Sequence, residues 1–208
     1  FMNRRFEDSD NYNFMQDYIV NYDKKIYYYQ NEYKPNQETV VFISGSGVSS
    51  TYTDMYCLWS RLENKVNIIF YDRPGMGKSE INDELNDIDD IVKNLEQVLN
   101  SSDSNGPYIL VAHSLGALEA VRYTQQYPEK VKGIVFIDGI SPGYATSFHD
   151  PLKYVCSLMG GARKLGLIRL VSILPRGQDL FKSQADIPDS MQELEINLIC
   201  RNYWNKSL

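Results

Sequence analysis

The chain has 208 residues, 43% of them hydrophobic and 12% aromatic, and its 21 basic and 27 acidic residues leave a formal charge of −6. That length sets one domain, or one domain plus a further segment, and is enough to bury a core, because domains of this size hide roughly 70% of their unfolded surface. An acidic chain without a basic cluster argues against nucleic acid and anionic membranes as partners.

No stretch reaches the ~18 apolar residues of a membrane helix; the nearest, residues 165–175, is short and carries Arg169. The first thirty residues are polar and unlike a secretory signal, although Phe1 ahead of Met2 leaves room for an upstream segment. Cys57, Cys156 and Cys200 are too scattered for a disulfide framework or a metal-binding pair, so free thiols and a cytoplasmic location are expected. No cofactor or metal is expected, since no histidine–carboxylate cluster has ligand spacing. Two histidines are present, His113 and His149.

Residues 17–22 and 25–29 are aromatic and β-branched around a short polar turn, which predicts a hairpin. Residues 39–44, 66–71, 108–112 and 131–138 are apolar runs of the kind found in parallel strands covered on both faces. Between them, residues 52–62, 85–99 and 116–127 are expected to be helical. In the second of these, Ile88, Ile91, Val92, Leu95, Val98 and Leu99 share one face. Strands alternating with helices imply right-handed crossovers, hence an α/β fold with a mostly parallel central sheet and helices on both faces. Beyond Gly139 no buried strand is evident. Residues 151–174 have a helical pattern interrupted at Gly160–Gly161, and residues 191–202 predict another helix.

The chemistry-bearing motif is Ala112-His-Ser-Leu-Gly116. It puts Ser114 at a strand-to-helix junction with small residues two positions away on each side, the context of a nucleophile elbow. The Leu115 N–H at the helix start and the Ser46 N–H in the loop after residue 44 are candidate oxyanion donors. Asp72 and Arg73 are expected to pair or hydrogen-bond to hold the turns near that loop, and Gly75 and Gly77 to permit backbone conformations that other residues avoid. Two other patterns fail. A phosphate loop ending at Lys78-Ser79 needs glycine where Asp72 stands, and a dinucleotide fingerprint from Gly45 needs glycine where Ser50 stands.

With these segments in order, the chain resembles the α/β-hydrolase superfamily. Residues 41–47 resemble its oxyanion strand and loop, with Ser44 where histidine is commoner. Residues 71–79 resemble its Asp-x-Arg-Gly-x-Gly-x-Ser turn, residues 111–116 its Gly-His-Ser-x-Gly elbow, and residues 127–138 the stretch into its sixth strand. The resemblance implies that residues 1–141 are the N-terminal part of the core. It also implies that residues 142–208 are a helical cap segment, incomplete, with the C-terminal strands missing. It further implies a serine hydrolase of carboxylesterase type, acting on a small acyl substrate.

A serine nucleophile needs a base, itself oriented by an acid. In this family the histidine comes late in the chain, whereas the single histidine after Ser114 is His149, just past the sixth strand. His113 adjoins the nucleophile and is expected to point elsewhere. Three accounts fit. The chain is a truncated hydrolase; it is a non-catalytic protein that binds a ligand or partner on a hydrolase scaffold; or Asp138 and His149 serve as acid and base. The plainer expectation for Asp138 is a bond to nearby backbone N–H groups, and for His149 an exposed loop position. A sheet that truly ended here would expose an edge and favour self-association.

Overall fold

A computed structural model of the chain describes residues 17–21, 24–80, 87–145, 151–174 and 187–202. Six strands form one sheet in the order β1-β2-β4-β3-β5-β6: β1 is Asp17–Asn21, β2 Lys24–Gln30, β3 Thr39–Ile43, β4 Asn67–Tyr71, β5 Tyr108–His113 and β6 Val131–Ile137. β1 and β2 are the expected hairpin, antiparallel with Ile19 opposite Ile26, and β2 is antiparallel to β4. β4, β3, β5 and β6 are mutually parallel. The mostly parallel α/β sheet read from the sequence is therefore present.

Side-chain alternation splits the core in two. Val41 and Ile43 of β3, Ile69 and Tyr71 of β4, and Leu110 and Ala112 of β5 face helices α3 (Ile88–Ser101) and α4 (Gly116–Gln126). α3 begins at Asp87, whose carboxylate caps the Asp89 N–H, and buries Val92, Leu95, Val98 and Leu99. Each such side chain contributes roughly 2 kcal/mol by leaving water. Val40 and Phe42 of β3 and Ile68 and Phe70 of β4 face the other way. They pack with Met55 and with Trp59 of α2 (Tyr56–Leu62). The helix expected over residues 52–62 is two pieces, α1 (Thr51–Asp54) and α2, separated at Met55.

The C-terminal segment is helical: α5 is Pro142–Ala145, α6 Pro151–Lys164, α7 Leu167–Ile173 and α8 Asp189–Asn202. The interruption expected at Gly160–Gly161 is absent, because α6 runs through both glycines. Each costs only about 1 kcal/mol relative to alanine in a helix. The break falls at Gly166, whose φ of 77° lets its N–H bond the Arg163 carbonyl at 2.8 Å and close the helix end. α8 does not stand apart from the sheet. Its Met191, Leu194 and Leu198 join the cluster around Phe42 and Phe70.

β6, read from sequence as one of the apolar strands, has only β5 as a neighbour among the described strands. Val135 and Phe136 are about half exposed there. No described helix is long and apolar enough to cross a membrane.

Candidate functional site

β3 and β5 lie side by side in parallel, with Ile43 opposite Ala112, so the loop after β3 and the turn after β5 emerge together at the C-terminal edge of the sheet. Ser114 occupies that turn with φ of 49°, a left-handed conformation that costs a non-glycine residue roughly 1–2 kcal/mol. Its backbone is fixed on both sides. Its N–H bonds the Ile137 carbonyl at 3.1 Å, and its carbonyl accepts from Ile140 at 3.2 Å and Ala117 at 3.1 Å. The strained turn is thus held by β6 and by the first turn of α4.

Close packing explains the small flanking residues. Ala112 is fully buried. A methyl group at Gly116 would sit 2.6 Å from the Ser44 carbonyl, and one at Gly45 would sit 2.9 Å from Ser114 Cβ. Ser46 is exposed and Leu115 half-buried. Neither backbone N–H has an acceptor among the described residues. Leu115 is the residue from which α4 starts, where helix N–H groups are free and the dipole favours negative charge.

His113 Nδ1 lies 3.1 Å from Asp54 Oδ2. Burial raises the Asp54 carboxyl above its ordinary range, and the adjacent imidazole partly offsets this. Asp138 follows β6 at φ 46°. It is exposed, and its carboxylate has no hydrogen-bond partner among the described residues. The backbone-bonding role expected for it is therefore not seen. His149 lies outside the described residues.

Asp72 and Arg73 do hold the turns near the loop after β3, but not by pairing with each other. Asp72 is fully buried and accepts from Ser50 Oγ at 2.9 Å, the Thr51 N–H at 2.8 Å and the Lys78 N–H at 3.3 Å. Burial pushes its carboxyl up to about 6. Gly75 and Gly77 have φ of 89° and 48°, as the turn requires. Arg73 reaches the other way, with Nη2 donating to the Ser44 and Gly45 carbonyls and Nε 3.1 Å from Glu119 Oε2. Tyr71 Oη donates to Glu119 Oε1. Burial raises the Glu119 carboxyl, opposed first by Arg73.

Neither Glu119 nor Asp54 was singled out in the sequence. Glu119 left a signal. It falls within the buried stripe Gly116, Ala120 and Tyr123 of α4, where a carboxylate demands a buried cation.

No group of three His, Cys, Asp or Glu side chains able to hold a metal occurs among the described residues. Cys57 and Cys200 are free thiols. α8 closes on the same region. Arg201 Nη1 donates to the Gly77 carbonyl and, at 3.0 Å, to that of Ser79, and Asn202 Nδ2 donates to Gly77 at 2.8 Å.

Comparison with known proteins agrees with this architecture. Uncharacterized protein YbdG of Bacillus subtilis (strain 168) is 35% identical over 111 residues, 53% of this chain and 34% of that protein. A proline iminopeptidase of Saccharolobus solfataricus is 28% identical over 108 residues, 51% of this chain and 34% of that protein. The matched stretch therefore spans about a third of these relatives' length. Among solved structures, Smu.1393c of Streptococcus mutans has a TM-score of 0.60 at 19% identity, over 90% of this chain and 64% of that one. Bromoperoxidase of Bacillus anthracis has a TM-score of 0.60 at 19% identity, over 89% and 67%. The model of the alpha/beta hydrolase family matches residues 40–198, most of the chain: the chain belongs to the alpha/beta hydrolase family.

Proposed function

We propose that this chain carries the nucleophile and oxyanion donors of a serine hydrolase acting on an ester-like carbonyl of a small apolar acyl compound. The observation that carries this reading is the left-handed Ser114, pinned between β6 and α4 and flanked by two unengaged backbone N–H groups. Backbone strain of this kind persists only where surrounding structure enforces it.

In the proposed reaction Ser114 Oγ attacks the carbonyl carbon, and the π electrons move to the carbonyl oxygen. The Ser46 and Leu115 N–H groups stabilise that oxyanion. Collapse expels the alcohol and leaves an acyl-serine, which water then hydrolyses. The hydroxyl proton of Ser114 passes to a base, which returns it to the departing alcohol oxygen. His113, whose Nδ1 is engaged by Asp54, is not proposed for that role. We assign the base and its acid to the portion of the protein corresponding to the relatives' remaining length, with Asp138 and His149 as the alternative pair. Residues 142–208 are proposed to be a cap segment that shapes the acyl pocket.

The test uses the full-length protein and a fluorophosphonate probe, which phosphonylates an activated serine. A mass increase on the peptide holding Ser114, absent in Ser114→Ala, together with loss of p-nitrophenyl ester turnover in that variant, is the expected result. No labelling of the wild-type protein would instead favour a ligand- or partner-binding role on a hydrolase scaffold. A His149→Ala variant that loses labelling would move the base to His149.

A further inference from the structure

We propose that Arg73 and Glu119 are positioning residues that set the oxyanion loop relative to the nucleophile. This rests on the reading of Ser114 as nucleophile and the Ser46 N–H as oxyanion donor. Both side chains are buried. The Arg73 guanidinium bridges two elements that the reaction needs in register: Glu119 on α4, the helix that begins beside Ser114, and the carbonyls of Ser44 and Gly45 in the loop after β3.

Peptide geometry turns this anchoring into an orientation. In a trans peptide the carbonyl and the following N–H point in opposite directions. Arg73 holds the Gly45 carbonyl at 3.3 Å on the interior side. The Ser46 N–H of the same peptide is thereby turned away from Arg73, toward the exposed side where Ser46 lies. Gly45 itself lies against Ser114 Cβ. A loop drawn inward at Ser44 and Gly45 thus presents its next N–H beside the nucleophile.

Glu119 does two things in this arrangement. Its charge compensates a guanidinium that would be costly to bury alone. Its second oxygen accepts from Tyr71 Oη at the end of β4, which fixes the carboxylate from a third element. The loop, the helix after Ser114 and the neighbouring strand are thereby tied at one buried point. Lysine would be a poor substitute for Arg73, because a single ammonium lacks the planar fork that reaches Glu119 and two carbonyls together.

The test compares wild type, Arg73→Lys, Glu119→Gln and the doubly apolar Arg73→Met/Glu119→Leu variant in the full-length protein. The double variant removes both charges together, so that no unpaired buried charge remains if a single variant fails to fold. Two quantities are read on folded protein, with active sites counted by fluorophosphonate: kcat/KM for p-nitrophenyl acetate, and Ki for a trifluoromethyl ketone, whose serine adduct carries the oxyanion. Removing one oxyanion donor outright costs about 10²–10³ in rate. Misplacing it is expected to lower kcat/KM at least tenfold and to raise Ki in proportion, with KM changed less than threefold. A purely structural role would lower the count of active sites and leave both per-site quantities unchanged, and that outcome would overturn the proposal. Failure of the wild type to label would refute the nucleophile assignment instead, a result read independently of these variants.

Discussion

Gly45 and Ser114 touch: a single methyl group added to Gly45 would come within 2.9 Å of Ser114 Cβ. The two residues belong to loops following β3 and β5, and the contact exists because those strands are parallel neighbours with Ile43 opposite Ala112. Gly45→Ala therefore forces either the Ser114 turn or the loop after β3 to move. Misplacement by about 1 Å can cost on the order of 100-fold in rate, whereas overpacking costs about 1–3 kcal/mol in stability. The variant is expected to remain folded and to react with fluorophosphonate at least ten times more slowly. An unchanged labelling rate would refute the close approach.

The strain at Ser114 predicts opposite behaviour in stability and activity. Glycine adopts φ near 49° without steric cost, and alanine does not. Ser114→Gly and Ser114→Ala should both be inactive, but the glycine variant should be more stable than the alanine variant by about 1 kcal/mol. Urea unfolding of the two variants side by side measures this. An alanine variant equal to or more stable than the glycine variant would show that the turn is relaxed.

Asp72 makes stability depend on pH in a fixed direction. Its carboxyl titrates near 6 in the folded chain against an ordinary value of 3.8. Between those values the folded state binds more protons than the unfolded state, so rising pH through this window lowers stability. A shift of about two units corresponds to roughly 3 kcal/mol, complete about one unit above the folded value, near pH 7. Asp72→Asn lacks this titration. The difference in unfolding free energy, wild type minus variant, should fall by roughly 2 kcal/mol between pH 4 and pH 7. Glu119, whose carboxyl is also raised by burial, is common to both proteins and cancels from the difference. A flat difference in urea unfolding at pH 4, 5, 6 and 7 would count against a buried, ionising Asp72.

The parts of this molecule legible in its sequence are those governed by local pattern. The strands announced themselves as runs apolar on both faces, and the tight turn at Ser114 as a serine between a strand and a helix with Ala112 and Gly116 on either side. Pairings between distant segments were not legible. Asp54 and His113 are 59 positions apart, and Tyr71 and Glu119 are 48 apart. Only the assembled sheet brings them together. The misjudged helix break has a similar cause. Gly160–Gly161 is a strong local signal, but the helix tolerates it, and the chain turns where Gly166 can take a left-handed conformation.

Gly77 lies very close to Asp72. A methyl group at Gly77 would lie 1.6 Å from Asp72 Oδ2, and Gly77 also has φ of 48°. Its N–H bonds the Ser49 carbonyl at 2.8 Å, and its carbonyl accepts from Asn202 on α8. Gly77→Ala thus adds backbone strain to a collision with a buried carboxylate, and each costs about 1–3 kcal/mol. A total loss of about 3 kcal/mol or more is expected. The two contributions separate in a double-mutant cycle. Asp72→Ala removes the carboxylate but leaves the strained φ, so Gly77→Ala should cost at least 1 kcal/mol less in that background. Equal cost in both backgrounds would assign the whole effect to the backbone and remove the steric contact from the account.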